Sequence, residues 1–146
     1  MIRSRLRRAS TALLVVVALV LAGCGSSGES KTTAIANLCS SLAKYSAAVT
    51  ELQGLSSQST IADIQTATTN VQKAYTQVEA DAKDLQAADG TMPSAEALAS
   101  AQKSLQDAAK SLPPNTTVEQ ALTKLQPQLQ ALAQAYSQVY NEMKCS

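Results

Sequence analysis

Three cysteines carry most of the chemistry open to this 146-residue chain: Cys24, Cys39 and Cys145. A thiol can be acylated, paired as a disulfide or bound to a metal, and its surroundings decide which. The chain has no histidine to serve as a general base or a neutral metal ligand. Ferritin-like carboxylate bundles need Glu-x-x-His pairs on facing helices, and haem bundles need an axial imidazole, so both classes are excluded. No P-loop, G-x-S-x-G or G-x-G-x-x-G run is present. The densest acidic group is Glu79, Asp81 and Asp84. At helical spacing Glu79 and Asp81 point apart, while Glu79 and Lys83 are spaced for an ordinary surface ion pair. A bound cation would need more converging oxygens. The expectation is therefore no enzyme, no metal site and no cofactor.

Cys24 has a distinctive leader. Arg3, Arg5, Arg7 and Arg8 form a basic start, the apolar stretch from Ala12 to Ala22 follows, and small residues stand just before the thiol. The apolar run is too short for an ordinary transmembrane helix, which needs about 20 apolar residues. It resembles a bacterial lipoprotein signal with its lipobox, L-[AS]-[GA]-C, here Leu21, Ala22, Gly23 and Cys24. The resemblance implies that residues 1–23 are a signal peptide and that the Cys24 thiol receives a diacylglyceryl group. Cleavage would then leave Cys24 as the N-terminus, anchored in the cell membrane on its extracytoplasmic face. Without the leader, eight lysines face 11 acidic groups, a net charge of −3 with no arginine. That balance does not favour a nucleic-acid surface, which needs clustered Lys and Arg to displace condensed counterions. If Cys24 is lipidated, Cys39 and Cys145 remain as one pair in an oxidising compartment. The alternative is two independent thiols.

Residues 24–33 read as the lipidated cysteine and a polar, Gly/Ser-rich tether. Residues 34–146 then repeat apolar residues at spacings of three and four. The first stripe runs Ile35, Leu38, Leu42, Tyr45, Val49, Leu52, and the second Ile61, Ile64, Thr68, Val71, Tyr75, Val78, Ala82, Leu85. The third runs Leu98, Ala101, Leu105, Ala108, Leu112, and the fourth Val118, Leu122, Leu125, Leu129, Leu132, Tyr136, Val139, Met143. Four helices of about 20–28 residues are expected, or roughly 30–42 Å each at 1.5 Å per residue. Gly54 and Gly90 can end the first two in left-handed conformations. Thr60 followed by Asp63 resembles a weaker, Asp version of a capping box, and Thr117 followed by Gln120 fits the pattern better. Pro113-Pro114 stops the third helix. Pro127 falls inside the fourth, where the heptad phase passes through it and predicts a kink rather than a break. The simplest architecture is an all-α, antiparallel up-down-up-down four-helix bundle. In it, the start of the first helix meets the end of the fourth, which brings Cys39 to Cys145.

Tyr45 and Tyr136 lie on core stripes at similar heights, with Tyr140 nearby. They either fill the core, each hydroxyl reaching solvent or a backbone partner, or line a pocket for a small apolar ligand. In Asn115-Thr116-Thr117 the sequon is a coincidence in a bacterial export context, and Thr117 is explained as a helix cap. Leu122-Thr123-Lys124-Leu125-Gln126 is similar to the L-T-x-x-Q motif of periplasmic envelope-stress chaperones, a family that carries the motif twice where this chain has it once. As a whole, residues 24–146 resemble the small, alanine-rich, disulfide-closed helical lipoproteins of high-GC Gram-positive bacteria. The resemblance implies the fold and the location and not the function; the leading reading of the residues themselves is a non-enzymatic binding or scaffold module, with an envelope protein or polymer as partner. A ligand carrier or sensor is the first alternative, and an envelope-stress-type chaperone the second.

Overall fold

Apolar residues recurring every three to four positions put one continuous face on a helix, and such faces are stable only when buried against each other. In the computed structural model, which describes residues 27–90 and 94–146, that pattern becomes four helices. They are α1 (Ser27–Gln53), α2 (Ile61–Asp89), α3 (Ala95–Lys110) and α4 (Val118–Glu142), and they form an all-α four-helix bundle. No residue of the four apolar stripes is exposed. Leu38, Leu42, Tyr45, Leu52, Val71, Leu105 and Leu125 are at 0 % exposure. Alanines, among them Ala48, Ala67, Ala121 and Ala135, fill the rest. Each alanine buries little area, so most of the buried apolar surface comes from the Leu, Val and Ile side chains and Tyr45.

The helix ends follow local chemistry. Thr60 and Thr117 each form a complete capping box with Asp63 and Gln120, side chain to backbone in both directions. The two backbone and side-chain donations from Thr60 hold the Asp63 carboxyl below its usual range. Gly90 closes α2 with φ 82° and its amide donating to the Gln86 carbonyl. Gly54 differs from expectation: Gly90 is the one described glycine with positive φ. Gly54 donates to the Thr50 carbonyl at 2.9 Å and Leu55 to Leu52 at 3.4 Å, so α1 ends by tightening its last turn. Pro127 leaves α4 continuous from Val118 to Glu142. It is exposed, so the carbonyl that loses its partner can be met by water.

Two further boundaries depart from the sequence reading. α1 begins at Ser27, so residues 27–33 continue the helix instead of forming a tether. The tertiary contact is visible in that stretch: Lys31 Nζ lies 2.7 Å from Asp89 Oδ2, at the end of α2. α3 has 16 residues, fewer than expected, because its last turn stops at Lys110 before Pro113-Pro114.

The helices pair unequally. α1 packs closely along α2, and α3 along α4, whereas the α2–α3 and α1–α4 seams are looser. The bundle is thus two hairpins laid together, and the disulfide and the buried side-chain hydrogen bonds cross from one hairpin to the other.

Candidate functional site

The first cross-link is covalent. Cys39 and Cys145 form a disulfide with Cα atoms 5.5 Å apart, joining the middle of α1, about three turns in from Ser27, to the chain just beyond α4. No glycine ends α4, yet the chain turns sharply there through Lys144 at φ 53°. Cys145 N–H donates to the Tyr140 carbonyl at 3.2 Å and Lys144 N–H to Asn141 at 3.1 Å. This is the Schellman pattern, made with a lysine where glycine is usual. It folds Cys145 back over the helix end, toward Cys39. Nearby, Ser94, which precedes α3, donates its hydroxyl to the Glu142 carboxylate at the end of α4.

The second cross-link is a buried polar chain. The Tyr45 hydroxyl on α1 donates to Gln102 Oε1 on α3 at 2.8 Å. Gln102 Nε2 donates in turn to Gln72 Oε1 on α2 at 3.2 Å. Tyr45 and Gln102 are essentially inaccessible, so the Tyr45 hydroxyl reaches neither solvent nor backbone but a side chain across the seam. The sequence had no signal for this partner. Gln102 follows the stripe residue Ala101 and reads as a flank position until α1 is placed against it. Burial, then the neighbouring Tyr75, pushes the Tyr45 hydroxyl far above its ordinary value. Tyr75 and Tyr136 are raised as well, chiefly by burial. Ring centroids lie 6.1 Å apart for Tyr45–Tyr75, 6.4 Å for Tyr45–Tyr136 and 5.6 Å for Tyr136–Tyr140. These distances suit tilted aromatic packing.

Tyr45 and Tyr136 line only a 110 Å³ recess between α1 and α4. Small-molecule sites usually occupy about 300–1,000 Å³, so the tyrosines fill the core rather than bound a ligand cavity. Two larger recesses lie toward the opposite end of the bundle from the disulfide, and a third, of 530 Å³, runs along the α3–α4 seam from Pro127 to Gln138. One of 680 Å³ opens between the α1–α2 loop and α4, where Leu122, Thr123 and Gln126 of the L-T-x-x-Q-like run form part of its wall. Another, of 610 Å³, lies between α2 and α3 and is lined by Ile61, Ile64, Leu112, Pro113 and Pro114 among others.

The acidic group on α2 is taken up locally. Lys83 bonds Glu79 at 2.9 Å, and Gln77 Nε2 donates to Asp81 at 2.9 Å. No set of three metal-type ligands converges among the described residues, and no described helix is long and apolar enough to cross a membrane. Cys24 and the lipobox residues Leu21, Ala22 and Gly23 lie outside the described residues. No protein-family model matches this chain, and comparison with curated proteins and with solved structures gives no match.

Proposed function

We propose that this chain is an extracytoplasmic lipoprotein, anchored to the membrane through Cys24, whose four-helix bundle is a non-enzymatic binding module of the cell envelope. The observation that carries the reading is the Cys39–Cys145 disulfide. Structural disulfides persist in oxidising compartments, and this one uses two of the three thiols. The third, Cys24, follows a basic start and a short apolar run whose Leu-Ala-Gly-Cys ending resembles a lipobox. A diacyl anchor holds firmly where a single chain binds only marginally. The lack of any histidine, and the pairing of the acidic group with Lys83 and Gln77, support a role in binding rather than catalysis.

The test is mass spectrometry of the N-terminus after expression of the full chain in a bacterial host. The expected result is a diacylated Cys24 as first residue, with Cys24→Ser moving the protein out of the membrane fraction. An unmodified Cys24, or a chain still beginning at Met1, overturns the anchoring. A ligand carrier is the second reading, and the 610 Å³ recess between α2 and α3 favours it.

A further inference from the structure

The recess between α2 and α3 has a definite chemistry. Along α2 it extends from Ile61 to Gln72, a rise of about 16 Å at 1.5 Å per residue. Ile61, Ile64, Ala109 and Leu112 give it an apolar wall, and Pro113 and Pro114 close its outer end. Several polar groups in that wall are already spent. The hydroxyls of Thr68 and Thr69 turn back onto the carbonyls of Ile64 and Gln65, each at 2.8 Å. Gln72 Oε1 is held by buried Gln102. The wall is therefore more apolar than its residue names suggest.

One charge faces the groove. Lys110 is the single charged residue in the lining. Its neighbour Asp107 is bonded by Lys103, and the Lys110 charge also acts on that carboxylate at longer range, while Lys110 itself makes no close ion pair among the described residues.

We propose that this groove binds a single-chain amphiphile with an anionic head, a fatty-acid carboxylate in its simplest form. The acyl chain lies between α2 and α3 and the carboxylate sits at Lys110. The proposal rests on the reading of the chain as a binding module, and it moves the ligand from the tyrosine core to a surface seam.

The experiment titrates dodecanoate and, separately, uncharged dodecanol into the full chain carrying Cys24→Ser, with binding followed by calorimetry. Dodecanoate is expected to saturate a single site. Lys110→Met should weaken dodecanoate about two- to five-fold, the scale of one exposed ion pair, and leave dodecanol unchanged. Thr69→Trp places a large ring in the groove at an exposed position, and should abolish binding while the helical circular dichroism persists. Lys124→Met, outside the groove, should change nothing. The proposal fails if dodecanoate does not saturate, if Lys124→Met weakens it as much as Lys110→Met, or if Thr69→Trp leaves binding intact. Should Thr69→Trp disturb the fold, the lysine pair still decides. Because the acylated thiol is absent from the titrated protein, an error in the anchoring reading registers in the mass spectrum and not here.

Discussion

The two ends of this bundle are built differently. At one end the helices are fastened to each other: Cys39 to Cys145, Lys31 to Asp89, and Ser94 to Glu142. At the other, the α1–α2 loop and the Pro113-Pro114 segment leave recesses of 680 and 610 Å³. The buried Tyr45–Gln102–Gln72 chain stands between them. Of those three links only the disulfide joins the two hairpins, since Lys31–Asp89 lies within α1–α2 and Ser94–Glu142 within α3–α4; with that bridge at one end and the buried polar chain between, the open end is free to carry a binding surface. The fastened end is also the one at which α1 begins, which in the proposed anchoring faces the membrane and leaves the recesses pointing away.

The largest expected effect comes from destroying the core that both ends share. Leu129 is 6 % exposed, and Leu129→Asp would leave a carboxylate among apolar neighbours with no partner. A loss above about 4 kcal/mol is expected, enough to unfold the chain, with urea denaturation followed by circular dichroism as the check. Removing only the fastening should be milder. The bridge spans a sequence separation of 106, for which the chain-entropy model gives roughly 4–5 kcal/mol as an upper figure. Cys39→Ser with Cys145→Ser should lower the melting temperature yet keep the helical signal, each single change should match the double, and Ellman titration of unreduced folded protein should find neither Cys39 nor Cys145 free.

Third in size is the buried polar chain. Tyr45→Phe leaves the Gln102 oxygen without its donor, at a cost of about 1–3 kcal/mol in thermal unfolding. The pH response gives an independent readout. The folded-state value of Tyr45 is raised above 10.0, so above that pH the unfolded chain releases a proton that the folded chain retains. Stability is therefore fully present at neutral pH and falls as pH rises from about 10. Tyr45→Phe should flatten that alkaline decline.

Smaller changes sharpen the contrast. Lys144 holds a left-handed conformation to bring Cys145 to its partner. Lys144→Gly should stabilise the protein by about 0.5–1 kcal/mol, less the added freedom of glycine in the unfolded chain. A melting temperature that drops instead would mean that the Lys144 side chain, and not its backbone, holds the turn. Lys83→Ala removes an exposed pair on α2 that links no two helices, and should shift unfolding by less than about 0.5 kcal/mol.

Much of this was legible before any helix was placed. The spacing of apolar residues depends only on helical geometry, so the four stripes predicted the four buried faces, and Thr60, Gly90, Thr117 and Pro113 marked helix ends through groups within a few residues of themselves. Gly54 misled because glycine permits a left-handed turn without requiring one. Ser27 to Thr33 misled because a polar segment with no apolar period turns helical when its end meets another helix, as Lys31 meets Asp89.

By itself the sequence determined the class of fold and the length of three of the four helices to within a few residues, and it offered Cys39 with Cys145 as a pair, with two independent thiols as the alternative, which the structure decided in favour of the bridge. Tertiary structure alone decided the partner of Tyr45, the left-handed turn at Lys144, and the division between a fastened end and an open one. The physical reason is range. Helical period and capping act over three or four residues and are written in the local order of the chain. A hydrogen bond from Tyr45 to Gln102, or a recess between Ile61 and Leu112, joins residues tens of positions apart. Such contacts exist only after the hairpins have docked, and the choice of which side chains meet there belongs to the packing.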